Sequence, residues 1–107
     1  MKQFTTPKQT AKLIELGFDE PKSETEETLL TDNCYRLAYS IGELIEMLPK
    51  KLDTTEDEEA YLGIEWDNIG WRLDYARFGF YLYTSMNLEL IDVLYEMVIK
   101  LKEEGVI

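Results

Sequence analysis

The chain has 107 residues, a net charge of −11, one cysteine and no histidine. That length makes a single domain (1–107), able to bury about two-thirds of its unfolded surface without staples. The missing histidine removes the usual general base and the Ser-His and Cys-His nucleophiles, and Cys34 alone cannot form a disulfide or build a zinc or iron–sulfur site, so no enzyme, cofactor or metal site is expected.

Residues 1–7 lack the apolar stretch of a signal peptide, and Asp92 and Glu96 interrupt the longest apolar run well short of the roughly 20 residues that cross a bilayer. With its lone thiol in an apolar, strand-like run, the chain reads as cytoplasmic and Cys34 as a packing residue. The first helix starts at Thr6-Pro7-Lys8-Gln9, where a capping hydroxyl, a proline at the first helical position and a glutamine three residues after the cap coincide. Ala11, Leu13, Ile14 and Leu16 give it an apolar side, and Gly17-Phe18 has the form of a left-handed stop that folds Phe18 back on Leu13. The spacing recurs at Leu101 to Val106, as shared capping physics without an internal repeat.

Residues 19–33 hold six acids against one Lys, contain Pro21 and keep no period, so they read as a solvated loop. Cys34 to Tyr39 alternates like a strand. Ser40 and Glu43 make a second capping box for a helix carrying Ile41, Leu44, Ile45 and Leu48, which Pro49 ends after about two turns. A second acidic loop is expected at about 50–60; residues 53–67 carry seven acids and no base, while everything outside these two segments is near neutral, with ten bases and nine acids. The run Asp53 to Glu59 lacks the alternating ligands and central glycine of a calcium loop, so no metal is assigned to it.

The most informative stretch is Leu62 to Tyr75. A four-residue turn Asp67-Asn68-Ile69-Gly70, with Gly70 at positive φ, sets Trp66 opposite Trp71, Ile64 opposite Leu73 and Leu62 opposite Tyr75 on one face. Glu65 with Arg72 and Gly63 with Asp74 fall on the other. Beyond it, a turn at Ala76-Arg77-Phe78-Gly79 sets Tyr75 opposite Phe80 and Leu73 opposite Leu82; a two-residue turn at Ala76-Arg77 keeps the same face inward. The last helix, from about Asn87 to Glu104, has one apolar stripe of Leu90, Ile91, Leu94, Met97, Val98 and Leu101, expected to lie on Trp66, Trp71, Leu73 and Leu82. Glu89, Asp92 and Glu96, opposite the stripe, read as a solvated charged face.

The expected fold is α+β: a small antiparallel sheet, a three-stranded meander plus one further strand, packed against a long C-terminal helix with two shorter helices, in the order α-β-α-β-β-β-α. Its outward face is expected to show Tyr61, Tyr81 and Tyr83 beside Arg72, Glu65 and Asp74. Tyrosine and arginine suit interface cores, so these six residues are the candidate partner surface. The alternative is that a short helix covers this face.

Three blocks, Thr10 to Phe18, Tyr39 to Pro49, and Glu89 to Ile107, resemble a group of short uncharacterised proteins from phages, prophages and other mobile elements of gut Bacteroides-type bacteria. The likeness spans about half the chain and transfers no functional residue. What it implies is a small cytoplasmic accessory protein that binds a host or phage protein. The functional expectation is therefore a non-enzymatic binding protein with an unidentified protein partner and no cofactor, homo-oligomerisation being open. Without a basic stripe, neither nucleic acid nor an anionic membrane is an expected ligand. The alternative function is an acidic decoy that mimics nucleic acid and inhibits a nucleic-acid-binding enzyme.

Overall fold

The computed structural model describes residues 2–28, 33–53, 59–77 and 80–107. Among them run α1 (Pro7–Glu15), β1 (Ser23–Thr28), β2 (Asn33–Ala38), α2 (Ile41–Met47), β3 (Lys51–Asp53), β4 (Glu59–Trp66), β5 (Trp71–Arg77), β6 (Phe80–Asn87) and α3 (Leu90–Glu103). The α+β class, and a long C-terminal helix on an antiparallel sheet, are as the sequence indicates. No helix is long and apolar enough to cross a membrane.

Local chemistry sets the helix ends. Thr6 and Gln9 form a reciprocal capping box on α1, and Ser40 and Glu43 form another on α2. Gly17 at φ +99° ends α1, with the Phe18 amide donating to Leu13 O at 3.2 Å; Gly105 at φ +76° ends α3, with Val106 N donating to Leu101 O at 2.9 Å. Leu48, before Pro49, is extended at ψ 127° and stops α2. α3 begins at Leu90, slightly later than expected, because Asn87 turns its side-chain carbonyl onto the Glu89 amide at 3.2 Å.

Two strands lie where acidic loops were expected. β1 pairs with β2 in a separate two-stranded ribbon, Ser23 opposite Ala38 through Thr28 opposite Asn33. Its six residues include no apolar one, so periodicity could not show it; the Glu43 carboxylate anchors its start, accepting from Lys22 N at 3.0 Å and from the Ser23 hydroxyl. The second is β3, which pairs with β4 and is the fourth strand of the main sheet, in the order β3-β4-β5-β6. The strand expected at Cys34–Tyr39 is present as β2 but does not join that sheet. The remainder of the acidic run Asp53 to Glu59, the Phe78-Gly79 part of the second turn, and the Cys34 side chain lie outside the described residues.

The first hairpin has the expected register throughout, from Leu62 opposite Tyr75 to Trp66 opposite Trp71. Its turn is built differently. Gly70 is not at positive φ; the Asp67 carboxylate holds the loop instead, accepting from Ile69 N at 2.7 Å and Gly70 N at 2.9 Å, while Asp67 N donates to Gly70 O at 2.9 Å.

The second hairpin corrects the expectation. The strands pair to Arg77 opposite Phe80, and a register shift between Tyr75 and Ala76 then sets Tyr75 opposite Tyr83 and Leu73 opposite Ser85. A one-residue bulge exchanges the two faces of β6. Tyr83 therefore packs on the core, and Leu82, expected inside, is 45% exposed on the outer face.

The core lies between the sheet and the helices. Ile91, Val93, Leu94, Met97, Val98 and Leu101 of α3 are buried with Leu73, Tyr75, Leu52, Ala60, Leu13 and Leu44. α3 packs on β5 and β6, with α2 alongside it. A helix about 10 Å across covers about two strands at 4.8 Å spacing, so β4 is left at the margin. Exposure rises along it toward the turn, from half-buried Leu62 through Ile64 to Trp66, which is 58% exposed instead of lying under α3.

The N-terminal segment is stitched across the molecule. Thr5 is buried; its amide donates to Tyr39 O, its hydroxyl accepts from Tyr39 N, both at 3.0 Å, and its carbonyl accepts from Arg36 Nη2 at 2.9 Å.

Candidate functional site

The outer face of the sheet carries every second residue of three strands. Tyr61, Gly63 and Glu65 come from β4, Arg72, Asp74 and Ala76 from β5, and Leu82, Thr84 and Met86 from β6. The helices packed on the sheet lie on its other face, so among the described residues this one is uncovered. Tyr61 is 58%, Leu82 45% and Met86 51% exposed.

Charges cross the middle of the face in a row. The Arg72 guanidinium pairs with Glu65 through Nη2 and lies 3.2 Å from Asp74 Oδ2 through Nε. Asp74 is buried because its neighbour across the ladder is Gly63, where a Cβ would stand 3.1 Å from Asp74 Oδ1. Together these residues line a shallow hollow of 370 Å³. Two carboxylates around one guanidinium leave the row with one net negative charge, flanked by apolar side chains.

At the β3 side, the Tyr61 hydroxyl donates to Glu59 Oε2 at 2.7 Å, and Lys51 Nζ donates to Glu59 Oε1 at 2.9 Å. The hydrogen bond to Glu59 pushes the Tyr61 phenol above its usual value, and the same bond, aided by Lys51, holds Glu59 below the usual carboxylate range. Tyr61 is thus held as a protonated phenol rather than an activated nucleophile.

Of the six residues singled out from the sequence, Tyr61, Glu65, Arg72 and Asp74 come together on this face. Tyr83 does not: the bulge turns it onto the core. Tyr81 stands opposite Ala76, and its side chain lies outside the described part of the chain. Sequence reasoning missed Leu82 and Met86; the alternation of β6 sets Phe80, Leu82 and Met86 on the more apolar side and so points them inward, and the bulge reverses that choice.

A second hollow, of 320 Å³, lies at the hairpin end between Trp66, Trp71, Leu88 and Glu89. The two indoles meet edge to face, centroids 5.4 Å apart at 63°. Leu88 and Ile69 beside it are 72% and 73% exposed.

Of the three acids read as a solvated face, Glu96 is exposed and Glu89 and Asp92 are half-buried, and each has partners. Asp92 accepts from Gln9 Nε2 at 2.9 Å and pairs with Lys2 Nζ at 3.1 Å, Glu89 accepts from Lys2 N at 3.1 Å, and Glu96 accepts from the Ser85 hydroxyl at 2.8 Å and Asn87 Nδ2 at 3.1 Å. They clasp the N-terminal segment and β6. Among the described residues, no three His, Cys, Asp or Glu side chains are grouped as metal ligands.

Compared with known proteins, the chain matches no family model, no curated protein and no solved structure.

Proposed function

We propose that this chain is a non-enzymatic protein-binding protein that works through the outer face of its four-stranded sheet. The observation that carries the reading is the uncovered face itself, with Tyr61, Leu82 and Met86 exposed around the charge-paired Glu65–Arg72–Asp74 row. One exposed tyrosine and two apolar side chains around a largely charge-paired polar centre suit a desolvated protein contact. The sequence resemblance adds a setting, that of a cytoplasmic accessory protein of a phage or other mobile element acting on a host or phage protein.

The test is partner retention on immobilised wild-type chain and on the Tyr61→Ala/Leu82→Ser variant. Wild type retains a protein partner between about 50 and 200 mM salt, and the variant loses it with little change in Tm. Equal retention by both overturns the reading.

A nucleic-acid-mimicking decoy is the second reading. It is supported by β1, which sets Glu24, Glu26 and Glu27 on a paired strand instead of a loose loop. A decoy binds nucleic-acid enzymes with affinity that collapses over the same salt interval and is indifferent to Tyr61→Ala.

A further inference from the structure

We infer that the free edge of β6 pairs with β6 of a second copy of this chain, joining two sheets into one. This edge shares Leu82 and Met86 with the proposed binding face but not Tyr61.

Hydrogen-bond parity identifies the groups on that edge. Asp67 N donates to Gly70 O, so these two form a hydrogen-bonded pair of the β4/β5 ladder, and so do the pairs an even number of residues along, Glu65 with Arg72 and Gly63 with Asp74. The backbone groups of Arg72 and Asp74 thus point to β4, and those of Trp71, Leu73 and Tyr75 point to β6. Across that ladder they meet Asn87, Ser85 and Tyr83. The amides and carbonyls of Thr84 and Met86 are left facing away from the sheet, while Leu82 is the unpaired residue of the bulge. Lys100 marks the same direction independently, since its Nζ reaches Thr84 O at 2.7 Å.

Such an edge invites another strand unless charge, proline or a covering element deters it. Phe80–Asn87 contains no charged residue and no proline, in a chain that is 31% charged at −11. Among the described residues, the cover seen on this edge is the single exposed ammonium of Lys100.

The strand is complementary to itself. A two-fold axis at Thr84 sets Leu82 opposite Met86 of the second copy and the two Thr84 residues opposite each other, so apolar meets apolar and hydroxyl meets hydroxyl. The helices fit the same axis. Because α3 lies over β5 and β6, the two α3 helices come to rest on one face of the joined sheet about two strand spacings apart, roughly 10 Å, which is a normal helix packing distance. Glu96 and Lys100 both reach over β6, one turn apart on the same flank of α3. The axis at Thr84 brings the two Lys100 ammoniums toward each other, so each leaves its Thr84 carbonyl for Glu96 one turn back on its own helix and frees that carbonyl for the ladder. The self-complementary order of Leu82, Thr84 and Met86 selects a second copy over an unrelated extended peptide.

Sedimentation of the full chain from micromolar concentration to about 1 mM, with amide exchange followed residue by residue, tests the inference. Wild type reaches twice the 12.6 kDa chain mass, and the amides of Thr84 and Met86 become slow to exchange as it does. Thr84→Pro removes an amide that the β5 ladder does not use, and Met86→Lys adds charge without touching the backbone. Each weakens self-association at least about tenfold. Tyr61→Ala associates as wild type does, which separates this edge from the face of the preceding section. A wild-type chain that stays monomeric to about 1 mM, or a dimer that survives both β6 variants, overturns the inference, and the first result leaves the edge to a different extended partner.

Discussion

Gly70 lies so close to Asn87 that a Cβ on it would stand 2.8 Å from the Asn87 carbonyl oxygen. The turn of one hairpin thereby sets how near the end of β6 can come, and only glycine leaves that space. The obstacle is backbone rather than a flexible side-chain tip, so it cannot move aside cheaply. Gly70→Ala is expected to cost about 1–3 kcal/mol in urea unfolding, by overpacking with no gain elsewhere. An unchanged midpoint would show that β6 can retreat.

The two tryptophans should answer differently to mutation. Trp66 is more than half exposed at the margin that α3 does not reach, and Trp66→Ala is expected to cost about 1 kcal/mol or less. Leu94 is fully buried in the α3 stripe, and Leu94→Ala should cost about 2–5 kcal/mol. Denaturant titration of the two variants side by side checks the ranking; near-equal losses would place the Trp66 indole in the core.

Acid should loosen the joint between β1 and α2. Burial alone would raise the Glu43 pKa, but hydrogen bonds from the Lys22 amide, the Ser23 hydroxyl and the Ser40 amide and hydroxyl outweigh it and hold the carboxyl below its ordinary value of 4.5. A group depressed in the folded state stabilises above its unfolded pKa, and that stability is lost as pH falls through the folded value. Wild type should therefore lose stability as pH drops below about 4.5, and Glu43→Gln should flatten that limb of the profile. Amide exchange at Lys22 and Ser40 reads the same event locally.

Alkali should act on the opposite side of the core. Burial pushes the Tyr75 hydroxyl, which donates to Pro49 O at 2.6 Å, up to about 12 from an ordinary 10.0. A raised pKa contributes stability that is complete below the unfolded value and is lost as pH climbs through the folded one, here between about pH 10 and 12. Tyrosinate absorbance should show one ring titrating late and together with unfolding. Tyr75→Phe should remove that coupling while forgoing the bond to Pro49.

The residues that were legible in the sequence are those whose reasons are local. Thr6 with Gln9 and Ser40 with Glu43 satisfy each other within one helical turn, and the spacing of Trp66 and Trp71 admits one register. What escaped depends on residues far away. β1 owes its existence to β2 and to Glu43, the faces of β6 were exchanged by a bulge that no alternation announces, and the exposure of Trp66 follows from which two strands a helix happens to cover. The candidate face was half legible for the same reason: Glu65, Arg72 and Asp74 follow from the first hairpin, whereas Leu82 and Tyr83 traded sides.

The bonds from Lys2 and Gln9 to Glu89 and Asp92 span separations of 83 to 90 residues. During synthesis residues 2–9 must wait, because the carboxylates they need are made at least 83 residues later. Long-range closure of this kind slows folding relative to neighbour-to-neighbour pairing. The hairpin can form early and the seam between residues 2–9 and 89–92 only later, so a nascent chain halted before Glu89 would contain every described β strand and lack the clasp that fixes residues 2–9.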